Sequence, residues 1–216
     1  MLVPRRGRPA VPLAFAALIG GGAALLPGAA TAAPVVHRGP SDTVLGRTVA
    51  SWTPSFLKWA FERSSADFST RTPTWGDCAT GQGGRVFFLP ISFGGTQRVA
   101  CTVAAGVPVL MSPAGLTVTG PDRAFALDLA RRDEVVQVGM KIDGVPVRIR
   151  ARDWVRKTGF SLKLPGERPA PAAFGGYNFL ATGLDPGVHE VVLFDRIVAP
   201  GLVVRARMIV SLTVTP

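Results

Sequence analysis

His37 and His189 are the only imidazoles in this 216-residue chain, and Cys78 and Cys101 the only thiols, so few routes to catalysis are open. Nucleophilic hydrolysis needs a base beside a serine or cysteine. His37 falls in a Pro- and Gly-rich stretch without periodicity. His189 lies in Pro186-Gly187-Val188-His189-Glu190-Val191, at the start of an expected strand just after a turn. A residue so placed reads first as a surface or cross-strand partner. No Gly-x-Ser-x-Gly elbow occurs, and neither Gly81-Gln82-Gly83-Gly84 nor Phe93-Gly94-Gly95-Thr96 carries the Gly-Lys-Ser/Thr ending of a phosphate loop. A glycosidase needs two opposed carboxylates. Of the chain's 14 acidic residues, Asp77, Asp143, Asp153, Asp185 and Glu190 are the candidates, and each reads as a turn or surface residue. Two cysteines with two histidines make a poor metal set, so no catalytic residue, cofactor or metal is expected.

The N-terminus sets the compartment. Arg5, Arg6 and Arg8 precede an apolar run from Val11 to Leu26, and Ala30-Thr31-Ala32 offers a small-residue cleavage site. The run is broken by Gly20-Gly21-Gly22 and Pro27 and is shorter than the roughly 20 residues a spanning helix needs, so residues 1–32 read as a signal peptide. The protein is therefore expected to be secreted, with no membrane span after cleavage, and an oxidising compartment favours a disulfide between Cys78 and Cys101. The whole chain carries a net charge of +10, and 21 basic residues remain against 14 acidic ones once the leader is removed. Such a balance suits anionic cell-envelope polymers. Specific nucleic-acid binding is not expected, because no basic run interleaves with aromatic residues as a stacking platform would. Arg148, Arg150 and Arg152 alternate, which on a strand would make one cationic stripe for an anionic ligand.

The elements that must hold these residues are mostly strands. Residues 33–50 read as an extended N-terminal arm, and residues 51–216 as a single domain. Thr53-Pro54 looks like an N-cap and first helical position, and Trp52, Phe56, Trp59 and Ala60 recur at helical spacing, which predicts a short helix over 54–64. A second helix is expected to open near Asp122. Asp143-Gly144, between Val135–Ile142 and Val145–Arg150, is the strongest hairpin signal, because a type I′ turn needs positive φ at both positions. Strands are further expected at 106–111, ended by Ser112-Pro113-Ala114-Gly115, then at 116–119, 159–164, 177–184 and 188–194. Residues 165–176, with their prolines and glycines, read as a loop. From Leu202 to Val214, one face (Leu202, Val204, Ala206, Met208, Val210, Leu212, Val214) is wholly apolar and must be core. About nine strands with two short helices and no strand-helix-strand alternation predict a mainly β protein, an antiparallel β-sandwich of immunoglobulin-like or jelly-roll-like kind.

Several of these motifs together resemble an uncharacterised family of secreted bacterial proteins. They are the helix bearing Trp52 and Trp59, Cys78-x-x-Gly81-Gln82-x-Gly84-x-Val86-Phe87-Phe88-Leu89, and Arg98-Val99-Ala100-Cys101-Thr102-Val103. Asp143-Gly144-Val145-Pro146-Val147, Gly176-Tyr177 and Leu184-Asp185-Pro186-Gly187-Val188-His189 complete the pattern. The resemblance implies export and this architecture, and it brings no catalytic residue with it.

Three functions follow as expectations. The first is a non-catalytic binding or structural domain at the cell envelope or in the medium, with envelope polymers or another extracellular protein as partner. The second is an extracellular hydrolase of glycans or esters, its site in the loops around Asp77, Gln82 and Pro165–Gly176. The third is a secreted inhibitor or interaction protein, which would expose a large apolar patch. The cysteine stretch itself reads as a clasp. A hairpin turning at Gly94-Gly95 would set Cys101 opposite about Phe88, so the Cys78 arm must cross the sheet and tie the helix onto the sandwich.

Overall fold

A computed structural model describes residues 35–37, 39–63, 75, 78–119, 135–163, 168–199 and 202–216. The signal peptide expected at 1–32, the helix expected near Asp122, and Asp77 lie outside these residues. In chain order the elements are β1 (Val35–His37), β2 (Thr43–Val44), β3 (Arg47–Thr48), α1 (Val49–Arg63), β4 (Phe87–Phe88), β5 (Gly95–Ala104) and β6 (Val109–Thr119). They continue with β7 (Val135–Ile142), β8 (Val145–Val147), a single 3-10 turn (Ala151–Asp153), β9 (Trp154–Leu162), β10 (Ala170–Thr182), β11 (Gly187–Ala199) and β12 (Leu202–Thr215). No helix among the described residues is long and apolar enough to cross a membrane.

The fold is the expected sandwich of two sheets. One runs β1-β10-β6-β4, with β9 also on β10, and the other runs β5-β12-β11-β7-β8. Most pairs are antiparallel, but β4 joins β6 and β5 joins β12 in parallel. Between the sheets, Met111, Tyr177 and Phe179 meet Leu193, Met208, Val210 and Leu212. On the other face of the first sheet, Phe56, Leu57 and Ala60 of α1 pack on Leu110, Phe174 and Leu180. The first sheet is thus covered twice, and β10 is buried almost throughout.

That double burial explains why β10 does not read as a strand. A strand with one wet face alternates, whereas one covered on both faces is a continuous apolar run. The expected loop at 165–176 is therefore strand from Ala170 onward. Its prolines and glycines have positional reasons. Pro171 precedes Ala172, where pairing with β6 begins, so its missing N–H takes nothing from that ladder. A Cβ on Gly176 would stand 2.4 Å from the Phe174 ring and 2.6 Å from the Ala114 carbonyl, so only glycine allows these backbones to approach. The strand expected to end at Ser112–Gly115 also runs on. Met111 faces Phe179 and Ala114 faces Tyr177, so Ser112 and Pro113 together oppose Asn178 in a bulge, where a proline is tolerated.

The helix begins earlier than Thr53-Pro54 suggests. Val49, Trp52, Thr53, Phe56, Leu57, Ala60 and Phe61 make one buried face from the first residue, and Thr48 is the cap, its Oγ1 accepting from the Ser51 N–H at 3.2 Å. Pro54 sits inside the helix. An interior proline costs about 3 kcal/mol, which the burial of Phe56 and Leu57, at roughly 1.5–3 kcal/mol each, offsets. Asn178 Nδ2 donates to Thr53 Oγ1 at 2.8 Å, with both residues fully buried, and this bond fixes α1 on the central strand.

Two further expectations change. No hairpin turns at Gly94-Gly95, because β4 and β5 lie in different sheets, so Cys101 is not opposite Phe88. The Arg148, Arg150, Arg152 stripe does not form on a strand: β8 ends at Val147, and the 3-10 turn follows Arg150. A strand that short has no room for the alternation.

The expected disulfide does form. Cys78 and Cys101 are bonded, their Cα atoms 5.6 Å apart, and Cys101 lies on β5 in the second sheet. Beside Cys78, Trp59 Nε1 of α1 donates to the Thr80 carbonyl at 3.2 Å, and the Trp59 ring stacks on Trp75. Gln82 acts as a substitute strand residue, its Nε2 donating to Phe88 O at 2.7 Å and its Oε1 accepting from the Phe88 N–H at 3.0 Å. The cysteines are 23 residues apart, so replacing both with serine should cost about 3 kcal/mol in the chain-entropy account. Urea unfolding should show that loss, and tryptophan emission should shift as Trp59 and Trp75 loosen. Unchanged emission in the folded double variant would rule out the clasp.

Candidate functional site

Two concave sites bring polar chemistry together. The first is an apolar cavity of about 390 Å³, partly open to solvent. Its position follows from the shortness of β4. That strand pairs only with Val109 and Leu110, so from Met111 onward the outer edge of β6 has no strand neighbour among the described residues. The cavity lies along this edge, between Phe56 and Phe61 of α1 on one side and Leu193, Ala206 and Met208 of the second sheet on the other.

One charged group lines it among the described residues, Asp195. Val191, Leu193 and Ile197 are buried core residues of β11, and period-2 alternation puts Asp195 in the same inward phase. The sequence carried that signal: an acid at the inward position of an otherwise apolar strand. The strand expected at 188–194 stopped one residue short of it. Asp195 Oδ1 is buried without a hydrogen-bond partner, while the carboxylate accepts one bond from the main chain at Ala206, its cross-strand neighbour. Burial in apolar surroundings pushes this carboxyl up to about 7, and the bond from Ala206 offsets only part of that rise. The serine hydroxyls at the cavity are engaged, Ser92 Oγ with the Gly94 carbonyl at 3.0 Å and Ser112 Oγ with the Tyr177 carbonyl at 3.2 Å.

The second site is a shallow hollow at the other end of β11, where the structure gathers four of the residues weighed for catalysis, His189, Asp143, Asp185 and Glu190. His189 Nδ1 lies 2.7 Å from Asp143 Oδ2, and Nε2 lies 2.8 Å from the Asp185 carbonyl oxygen. Both partners are acceptors, so satisfying both needs a proton on each ring nitrogen, and the geometry is that of an imidazolium. Burial lowers the His189 pKa, but the hydrogen bonds to Asp143 and Asp185 and the charge of the two carboxylates outweigh it, so the net shift is upward from 6.5. Asp143 has φ 51° and Gly144 φ 76°, as the type I′ turn requires. The Asp143 Oδ1 accepts from the Glu190 N–H at 2.8 Å, so this acid locks the β7–β8 turn onto β11. Ser211 also borders the hollow. An Asp–His pair is two-thirds of a hydrolase triad, but Nε2, the nitrogen that would face a nucleophile, is held by the Asp185 carbonyl.

The other expected residues are not gathered into a site. Asp153 is buried and accepts from the Arg150 N–H at 2.7 Å. Arg150 and Arg152 flank it at a small hollow that also includes Asp42, and Arg148 is exposed beyond the end of β8. Gln82 is committed to the main chain of Phe88. Among the described residues no group of three His, Cys, Asp or Glu side chains could hold a metal ion.

Each titrating group has a stability signature. A histidine raised in the folded state stabilises fully below 6.5 and loses that contribution as pH rises through its folded pKa. His189→Gln should therefore lower Tm at pH 6 and lower it less at pH 9; an equal loss at both would exclude the imidazolium. Asp195 is raised as well, so its contribution is complete below 3.8 and is lost as pH rises through about 7. Asp195→Asn should match the parent below about pH 4 and exceed it at pH 8 by up to about 4 kcal/mol, read from urea midpoints. Parallel curves for the two proteins would show that Asp195 titrates normally.

No protein-family model and no curated protein matches the chain. Among solved structures, a chain of the structure of PbICP-C in complex with falcipain-2 aligns with 12% identity and a TM-score of 0.28, over 56% of this chain and 91% of that one.

Proposed function

We propose that this chain is an exported, non-catalytic β-sandwich domain that binds a ligand, at the cell envelope or in the medium, through the apolar cavity along β6. The observation that supports this most directly is the cavity itself: about 390 Å³, apolar, partly open, with the buried and unpartnered Asp195 Oδ1 in its wall. Small-molecule sites have this size and this pattern of an apolar wall with few orienting groups. The disulfide and the leader-like N-terminus support export. The resemblance to secreted bacterial proteins is consistent with it. The basic surface favours retention near anionic envelope polymers, although Arg148, Arg150 and Arg152 do not make a strip.

A hydrolase is the second reading, and the Asp143–His189 pair is what favours it. Against it stands the engagement of both ring nitrogens. An ester hydrolase working through this pair would lose turnover of p-nitrophenyl acetate in His189→Gln.

The binding reading is tested with the neutral fluorophore Prodan. One molecule per chain should bind, 1-octanol should displace it, and a folded Ala206→Phe variant, which fills the cavity, should not bind. Absence of saturable binding, or binding that survives Ala206→Phe, rejects the cavity as the site.

A further inference from the structure

We infer that the cavity along β6 selects amphiphiles whose head group is a protonated amine, with the apolar body along α1 and β12 and the ammonium donating to Asp195. This rests on the reading of the cavity as a ligand site and goes beyond it by naming the ligand class. Three observations carry it. Asp195 Oδ1 is buried, faces no donor and belongs to the only charged group among the described lining residues. The neighbouring hydroxyls of Ser92 and Ser112 are already bonded to carbonyls, so Asp195 is the charged acceptor that the described wall offers a cationic head group. No lysine, arginine or histidine lines the cavity among the described residues, so no protein cation competes for the carboxylate or recruits an anionic head group.

The charges on the strands around Asp195 do not alter this balance. Its cross-strand neighbours are Ala206 on β12 and Val138 on β7. Arg196, Arg205 and Arg207 are on β11 and β12 in the opposite phase and are exposed on the outer face.

A carboxylate in an apolar wall is costly when alone, and a matched cation with a hydrogen bond recovers much of that cost. A carboxylate head group would meet Asp195 as a like charge. A hydroxyl head group forms a bond without charge pairing, so it should bind in the same place with less gain. Burial holds the carboxyl near 7 in the free protein, so an ammonium ligand must draw Asp195 into its ionised form. Binding of the amine then strengthens with pH up to that value, while binding of the alcohol does not.

The test uses the full disulfide-bonded chain and three eight-carbon probes below their aggregation limits: octylammonium, 1-octanol and octanoate. Calorimetry gives affinity, and shifts of the Met208 methyl and of the Ala206 amide give location. Octylammonium should bind about ten-fold or more tighter than 1-octanol at pH 8, with octanoate weakest, since hydrogen bonds to charged groups are the stronger ones. Between about pH 5 and pH 8 the preference for the amine should grow, because Asp195 ionises while the amine stays protonated. Asp195→Asn should remove the preference and keep 1-octanol binding. Equal affinity for the amine and the alcohol, or a preference that survives Asp195→Asn, overturns the inference while leaving the cavity as a ligand site. Failure of all three probes to bind overturns both.

Discussion

The burial of β10 on both faces is the constraint on which the rest of the protein depends. A strand covered by a helix on one side and a sheet on the other can expose neither its side chains nor its backbone, so everything around it is arranged to cover and pair it. The β6 strand closes one edge, while β9 and β1 share the other. Phe174 and Leu180 face α1, and Tyr177 and Phe179 face the second sheet. Within this dry layer the pair of Thr53 and Asn178 is the one described polar link to the helix. An apolar layer alone is satisfied by many helix positions, whereas a buried hydrogen bond is satisfied by very few, so this pair supplies register where packing supplies energy.

The parts of the fold that were legible in the sequence are those with one wet face. The alternation of β12, the Asp143-Gly144 turn and the pairing of Cys78 with Cys101 are all local or compartmental signals, and each is found where it was expected. The parts that were not legible are those where two layers meet. Residues 170–176 looked like a loop because Pro171, Gly175 and Gly176 are turn formers in isolation. Only the Phe174 ring and the close approach of Gly115 give Gly176 a reason. The same failure split β6 at Pro113, because a bulge opposite Asn178 is a property of two strands and cannot be read from one. The stripe of Arg148, Arg150 and Arg152 failed for a simpler reason. Its alternation assumed a longer strand than the three residues of β8.

The candidate sites divide in the same way. His189 and Asp143 were visible because histidine is rare in this chain and Asp-Gly marks a turn, although their contact joins residues 46 positions apart. Sequence showed the groups but not that Asp185 would occupy the second nitrogen. Asp195 was visible only as an exception to a pattern, an acid in the inward phase of β11, and its meaning depends on the cavity beside it. That cavity exists because β4 is two residues long, a matter of sheet assembly with no residue motif of its own.

The bulge at Ser112 and Pro113 has a consequence for self-association. Among the described residues the edge of β6 beyond β4 has no strand neighbour, and bare edges of that kind recruit the strands of other molecules. Proline offers no donor at that point, and the extra residue turns the edge out of line. The irregularity that hid the strand from sequence reading is thus also a guard. A strand from a second molecule would have to follow that same irregular register to pair along this edge.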